Sequence, residues 1–364
     1  MKITFDHNIF STQKYGGISR YIIRLAENLS LLENTIEIVA PINVNAYLTE
    51  SNVSKKRRFN LSTIPPKSTR LIYYLNDKIS KLNAEPAKHH LVHETYYSIK
   101  PCITGASGYV LTVHDMVHEM FPELFVNVNK ILAKKRSSIY RADQIICISE
   151  TTKNDLQKYY DVDPSKISVV HHGFDHLSNL TTTKTDTLPR NYILHVGQRW
   201  GYKNFQTLAD AYRSNEFLKK NYSLVAFGGP PFSEFEKKRY NQQISDGTLI
   251  RITGDDNRLA QAYANASLFV FPSLYEGFGI PILEAMACRT PLLLADTPAF
   301  REVAGTAAEF FPPKNIGDLS YRMEAMLSDL PFCAELVRLG VSRSDHFSWL
   351  KCAKETKFVY EKVE

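Results

Sequence analysis

The stretch Ser267-Leu-Phe-Val-Phe-Pro-Ser-Leu-Tyr-Glu276-Gly-Phe-Gly-Ile-Pro281-Ile-Leu-Glu284-Ala-Met-Ala287 decides how the chain folds. Its first five residues form a short apolar run with the length and composition of a buried parallel strand. Two glycines follow in a turn, and Pro281 then stands where a first helical residue belongs, ahead of good helix formers. Strand, glycine loop and helix N-terminus are thus expected in series. Such a helix start leaves backbone N–H groups unpaired, and the helix dipole favours an anion there. Glu276 and Glu284 bracket the loop. A carboxylate repels phosphate, so these two would hold hydroxyls, one on a sugar ring and one on a ribose, with a pyrophosphate near the amides of Phe278, Gly279 and Ile280. A glutamate in a turn or on a helix is otherwise merely solvated; the convergence of all these pieces on one helix end argues for more.

The rest of the chain repeats the pattern. With 364 residues it exceeds one ordinary core and suits two domains of about 150–200 residues. Hydrophobic residues make up 44% and charged residues 23%, the balance of a soluble globular protein, and no run approaches the ~20 apolar residues of a membrane span. Met1-Lys-Ile-Thr-Phe-Asp6 reads as a strand start rather than a signal peptide, because no apolar h-region follows. The five cysteines are scattered singly, which suggests neither a disulfide framework nor a zinc site and suits a reducing cytoplasm. Net charge is +6; residues 1–175 hold 22 Lys and Arg against 17 Asp and Glu, and residues 176–364 hold 22 against 21. An excess this dispersed does not make a nucleic-acid stripe, but it suits a surface that meets anionic lipid or a polyanionic acceptor.

In the first half, Lys2–Phe5 and Thr35–Ala40 read as strands on either side of a helix over Ile18–Leu32, with Gly16-Gly17 at its start, which taken alone is a plain turn or a place where missing Cβ atoms let a ligand approach the backbone. Residues 49–70, with Lys55-Lys-Arg-Arg58 and Pro65-Pro66, read as a polar loop. Ile72–Leu82 reads as an amphipathic helix with Leu75 and Ile79 on its apolar side; its lysines form a solvated face or a contact with a membrane or lipid-linked acceptor. His89, His90, His93 and Glu94 are no metal cluster, since neighbours in a strand point to opposite faces. Tyr109–Val113 is a buried strand that delivers His114 and Asp115 at its C-terminal end, where α/β folds place ligands; from position alone His114 is equally a satisfied core histidine. A further strand, turn and cap follow at Ala142–Thr151. Asp161-Val-Asp163 has the spacing of a metal-binding pair, but its Pro-Ser-Lys context is turn chemistry, and no metal is expected.

Residues 176–190 read as a linker. Beyond them Tyr192–Gly197 is a strand, followed by Gln198-Arg199-Trp-Gly-Tyr-Lys203-Asn204. Arg199 and Lys203 form a candidate diphosphate clamp, a planar fork and a point charge. Ser223–Gly229 and Leu249–Gly254 are further strands ending in glycine, and Pro291–Ala295 is the last clear strand. Ser348–Val363 is helical. The sequence has no internal repeat, no P-loop and no Gly-x-Gly-x-x-Gly after a strand, since Ile282 stands where the third glycine belongs, which disfavours a dehydrogenase.

Glu276-Gly-Phe-Gly-Ile-Pro-Ile-Leu-Glu284 resembles the Glu-x7-Glu signature of the retaining, family-four glycosyltransferases, and the likeness extends over nearly the whole chain. It implies the α/β GT-B fold, two Rossmann-like domains facing across a cleft: residues 1–175, completed by a helix over 348–364, on the acceptor side, and 190–345 on the nucleotide-sugar side. It implies that Gly16 and Gly17 face the donor diphosphate and acceptor, that His114 contacts the transferred sugar, that Arg199 and Lys203 hold the donor phosphates, and that Gly254 and Asp255 lie beside a nucleotide base. Arg289-Thr-Pro291 departs from the family, which prefers glycine there, as does His171-His-Gly-Phe-Asp175 where Asn-Gly-Val-Asp is usual. The opening Phe5–Phe10, Tyr15–Tyr21 and Tyr202–Phe205 look like bacterial surface-polysaccharide enzymes, often mannosyl- or rhamnosyltransferases. The expected donor is a nucleotide-diphosphate sugar, the acceptor a glycan or lipid-linked glycan, with no cofactor, metal or nucleic acid. A phosphorylase-like enzyme would need a cofactor lysine or phosphate pocket that the sequence does not show. A non-catalytic nucleotide-sugar-binding partner of a synthesis complex is a second alternative, against which Glu276, Glu284, His114 and Lys203 argue.

Overall fold

The computed structural model describes residues 1–53, 59–61, 63, 69–82, 90–174 and 188–363. Lys55–Arg58, His89 and most of the expected linker lie outside them. The chain divides into two compact units, Met1–Gly173 with Ser348–Glu364, and Phe174–Phe347.

The first unit alternates strand and helix as its apolar runs dictate. Its elements are β1 (Lys2–Phe5), α1 (Gly17–Leu31), β2 (Thr35–Ile38), β3 (Ile42–Asn43), α2 (Ala46–Glu50), β4 (Phe59–Asn60), α3 (Thr69–Leu82), β5 (His90–Glu94), β6 (Gly108–Val113), α4 (Val117–Met120), α5 (Val128–Arg141), β7 (Gln144–Cys147), α6 (Glu150–Tyr159) and β8 (Ile167–Val169). Six strands form one parallel sheet in the order β2-β1-β5-β6-β7-β8. Ser149 caps α6 by accepting from the Thr152 amide, and Asp163 caps a turn by accepting from the Ser165 amide, which is the use the Asp-Pro-Ser spacing suggested.

The second unit comprises β9 (Tyr192–Val196), α7 (Phe205–Arg213), α8 (Glu216–Asn221), β10 (Ser223–Phe227), α9 (Glu234–Arg239), α10 (Asn241–Ser245), β11 (Leu249–Ile252), α11 (Asp256–Ala264), β12 (Leu268–Phe271), α12 (Ile280–Ala287), β13 (Leu292–Ala295), α13 (Pro298–Ala304), β14 (Glu309–Phe311), α14 (Ile316–Ser328) and α15 (Leu330–Ser344). Its parallel sheet runs β11-β10-β9-β12-β13-β14. That is the doubly wound order 3-2-1-4-5-6 of a Rossmann sheet, with its switch point between β9 and β12. Helix α16 (Trp349–Glu361) then packs on α1, and Trp349, Cys352, Ala353 and Tyr360 join Phe5, Tyr21, Leu25 and Leu29 in one buried cluster of the first unit.

Three expectations need correction. The helix expected from Ile72 begins at Thr69, and its inward positions are Ile72 and Asn76, while Leu75 is 37% exposed. Asn76 takes the inward place because it bridges the Ile42 backbone and the Ser11 hydroxyl. Phe59-Asn60, inside the expected loop, pairs with Ile42-Asn43. The sheet of the second unit continues past β13 to β14, three residues too short for a periodic signal.

Candidate functional site

In the second unit the loops that leave β9 and β12 lie side by side at the switch point, outside the carboxyl ends of the strands. After β9, Gly201–Lys203 makes one tight turn and Asn204 takes the left-handed conformation (φ 56°). The Asn204 side-chain Nδ2 donates to the carbonyls of Pro272 (3.0 Å) and Pro313 (2.7 Å), and the Leu274 backbone amide donates to the Tyr202 carbonyl (2.8 Å). These bonds staple the two loops together. Across them the Lys203 ammonium meets a Glu276 carboxylate oxygen at 2.6 Å, with both side chains partly exposed. Sequence spacing thus pointed to two residues, 73 positions apart, that the fold brings into contact.

Gly279 caps α12 at φ 102°, and Ile280 and Pro281 are the first two helical residues, so Pro281 stands one place later than expected. Phe278 is buried edge-on to Phe347. A Cβ on Gly279 would come to 3.0 Å from Ile282 and 3.2 Å from Phe300, so both backbone angle and packing require glycine. Glu284, on the first turns of α12, is buried and accepts a hydrogen bond from the Tyr263 hydroxyl at 2.8 Å.

Arg199 takes a different place from Lys203. It is 7% exposed and forks onto the Glu236 carboxylate (2.7 and 3.4 Å) and the Pro230 carbonyl (2.8 Å), with Phe232 across its guanidinium face at 4.7 Å. Arg199 and Glu236 line a cavity of about 310 Å³ with Trp200, Phe205, Phe235 and Tyr240. Asp255 caps α11 through the Arg258 amide, and the space a Cβ would take at Gly254 is occupied by the Arg258 side chain. His195, buried on β9, faces the Gln198 carbonyl at 3.3 Å, and burial lowers its pKa to about 4.

In the first unit Gly16 precedes α1, where Gln13 fills the space of a side chain, whereas Gly17 opens on free space. His114 follows β6 and is 8% exposed. Its ring stacks on His172 (centroids 5.7 Å apart, planes at 20°), and Tyr21 meets both rings edge-on. Burial pushes the His114 pKa down to about 4, against the pull of Asp115, so the ring is neutral at pH 7, and its Nε2 has no hydrogen-bond partner among the described residues. Beneath it the Thr112 hydroxyl bonds both the Tyr21 hydroxyl (3.1 Å) and His93 Nε2 (2.8 Å), and His93 Nδ1 reaches the Tyr360 hydroxyl at 2.6 Å. Glu94 is taken by Arg141 through two oxygens. Among the described residues no group of three or more His, Cys, Asp or Glu is placed to hold a metal ion.

Asn204, Tyr263 and Glu236 were not singled out by sequence reasoning, and His172 was noted only as a departure from the family's usual wording, without a role. Asn204 stood next to Lys203 in the quoted motif and offered the signal of a residue that tolerates the left-handed region; Tyr263 and Glu236 are brought in from distant elements and left none.

Comparison with known proteins agrees with this architecture. Sucrose-phosphate synthase from Thermosynechococcus elongatus superposes with a TM-score of 0.75 at 17% identity over 100% of this chain and 98% of that one. WaaG, a glycosyltransferase involved in lipopolysaccharide biosynthesis, gives 0.73 at 14% over 97% and 98%. The fold is therefore that of the GT-B class. Residues 15–176 match the model of Glycosyltransferase Family 4 and residues 184–340 that of Glycosyl transferases group 1, so the chain belongs to the family-four glycosyltransferases. The O-antigen chain mannosyltransferase RfbU of Salmonella typhimurium is 28% identical over 205 residues, 56% of each chain. The O-antigen chain mannosyltransferase B of Escherichia coli is 25% identical over 277 residues, 69% of this chain and 70% of that one. The serotype-specific mannosyltransferase WbdA of Escherichia coli is 27% identical over 264 residues, but these are only 32% of its length.

Proposed function

We propose that the protein transfers a sugar, mannose- or rhamnose-like, with retention of configuration, from a nucleotide-diphosphate sugar to a hydroxyl of a growing surface glycan or lipid-linked acceptor. The observation that carries this reading is the Lys203–Glu276 pair at the switch point, beside the N-terminus of α12. The lysine supplies a cation for the departing diphosphate, and the helix start adds fixed dipoles aimed at the same charge, so no metal is required for neutralisation. Arg199 joins this clamp by exchanging the Glu236 carboxylate for phosphate oxygens. Glu276, released from Lys203, accepts hydrogen bonds from sugar hydroxyls as the ring becomes oxocarbenium-like, and Glu284, held by Tyr263, faces the ribose. Phe278, Gly279 and Ile280 supply backbone to the pyrophosphate, and Gly254 and Asp255 border the base. Gly16 and Gly17 give backbone access on the first unit. The neutral His114 offers its Nε2 to a sugar hydroxyl without adding a positive charge beside a developing cation. The incoming hydroxyl enters on the leaving group's face and gives its proton to the departing phosphate.

The mannosyltransferase relatives support the sugar class. Contact with anionic membrane is supported by α3, where Leu71 (58% exposed), Tyr74 (58%) and Leu75 share a face with Lys78, as an interfacial helix requires. No helix among the described residues is long and apolar enough to cross a membrane.

Thermal unfolding with UDP, GDP, dTDP and ADP, each with Mg²⁺ and with EDTA, tests the donor assignment. One nucleotide at 100 times its dissociation constant adds about 2.7 kcal/mol, with or without EDTA. A shift that strictly requires metal overturns the metal-free clamp. In Lys203→Ala, donor turnover falls about 100-fold or more, the scale of losing one preorganised electrostatic contact; turnover near wild type removes Lys203 from the site.

A further inference from the structure

Lys135 is the least expected side chain of the first unit. It lies on α5, its side chain is 0% exposed, and lysine is almost never fully buried without a partner. Its ammonium donates to the Asp115 backbone carbonyl at 2.6 Å and to Glu119 Oε2 at 2.9 Å, and faces the Tyr97 ring at 5.4 Å. Each partner is fixed in turn. Glu119 Oε1 accepts the Tyr160 hydroxyl at 2.7 Å, the Asp115 carboxylate accepts the Val117 amide at 3.1 Å, and the Tyr97 hydroxyl contacts the backbone of His114. All of these bonds converge on the segment that leaves β6, and the residue immediately before it is His114.

A buried ion pair of this kind is weak evidence for stability, because the cost of desolvating both charges offsets their attraction; a well-packed apolar pair would serve a core as well. What an apolar pair cannot do is grip a carbonyl oxygen. The 2.6 Å bond fixes the Asp115–Met116 peptide, one residue beyond His114, and the stack against His172 and the edge of Tyr21 fix the ring from its other sides.

We propose that Lys135 is a positioning residue for His114: with Glu119 and Tyr160 it locks the Asp115 carbonyl, so that the imbedded imidazole presents its unpaired Nε2 in one orientation. The catalytic consequence rests on the role proposed for His114 above; the positioning itself does not. The same ammonium disfavours a second positive charge on the imidazole, in concert with burial and against Asp115. The other ionisable groups around that ring are His172, Tyr21 from α1 and His93 from β5, and His93 and His172 each feel His114 as a repulsive neighbour.

The test follows the His114 imidazole by ¹⁵N NMR, assigned from the signals lost in His114→Gln, in wild type, Lys135→Arg and Lys135→Met. Because Lys135→Met leaves Glu119 buried without its cation, the double variant Lys135→Met/Glu119→Gln is measured as well. Positioning predicts that Lys135→Met and the double variant broaden or multiply the His114 signals and raise its pKa towards the ordinary imidazole range, while Lys135→Arg restores one sharp set. If transfer is assayed, kcat falls about 100-fold in the methionine variants, as for a reacting group misplaced by ~1 Å, with donor KM near wild type. Unchanged His114 signals and pKa in the folded double variant overturn the proposal, whatever the activity. Displaced signals in a protein whose wild type transfers no sugar leave the positioning standing and overturn the proposed reaction instead.

Discussion

At the scale of single residues, the chain shows a misfit that can be put to use. Helix α12 ends in two bonds, Thr290 amide to Ala285 carbonyl (2.9 Å) and Arg289 amide to Met286 carbonyl (3.0 Å). This is the Schellman pattern, and its pivot Arg289 sits at φ 60°, a conformation that suits glycine. The side chain is exposed, so nothing is lost by removing it. Arg289→Gly is expected to stabilise the second unit by about 0.5–1 kcal/mol, the left-handed penalty less the added freedom of the unfolded chain; an unchanged or lower urea midpoint contradicts this. The position was visible in the sequence as a departure from family wording. Lys203, Glu276 and His114 were likewise legible, because each follows a strand run that announces itself. Their partners were not: nothing in Glu236 or Tyr263 marks it as the residue that closes on Arg199 or Glu284, since such pairs are fixed by tertiary packing alone.

Among the elements, the start of α12 is the most exacting. Gly279→Ala combines an unfavourable backbone angle with a Cβ 3.0 Å from Ile282 and 3.2 Å from Phe300. The cost is expected to be about 1–3 kcal/mol, together with weakened nucleotide binding because the helix start must shift. A variant with wild-type melting temperature and nucleotide affinity shows that this conformation is not needed. Helix α1 was readable from its periodicity and the eight-residue α12 from the turn residues before it. The short β3, β4 and β14 were not: they have two or three residues each and gain their identity from the strand beside them. On α3, periodicity chose Leu75 for the core, whereas the core took Asn76, because two buried polar groups needed that amide.

Across the whole molecule, buried histidines tie stability to pH. In the first unit burial lowers the pKa of His7 and His118, of His93 to about 3, of His114 to about 4 and of His172 well below the ordinary value. Each is neutral when folded and takes up a proton on unfolding once the pH drops below about 6.5, so each withdraws stability on acidification. Burial raises the pKa of Asp6, and of Glu94 to about 7, and these act in the opposite sense: Glu94 favours the folded state as the pH falls below about 7, and Asp6 as it falls through its own raised value. Five against two among the described residues leaves a net loss, roughly 1.4 kcal/mol per pH unit for each uncompensated proton. Protection factors, which are corrected for the slower intrinsic exchange in acid, are therefore expected to fall more in β6 than in β12, whose unit buries His195 alone among such groups of the described residues, on going from pH 7 to pH 5; an equal fall contradicts this. The sequence showed eleven histidines but not which of them the folded chain would keep dry. Nor did the pattern of residues 349–361 say which sheet that helix covers; only family likeness suggested it. Its placement has a consequence for synthesis. The ribosome delivers Phe5, Tyr21 and Leu29 first, but the Trp349 and Tyr360 that share their core only after residues 174–347 have been made. At about 5–20 residues per second that interval is on the order of ten to thirty seconds. Through it the earlier half of the chain waits with an uncovered apolar face, a client for whatever guards nascent chains.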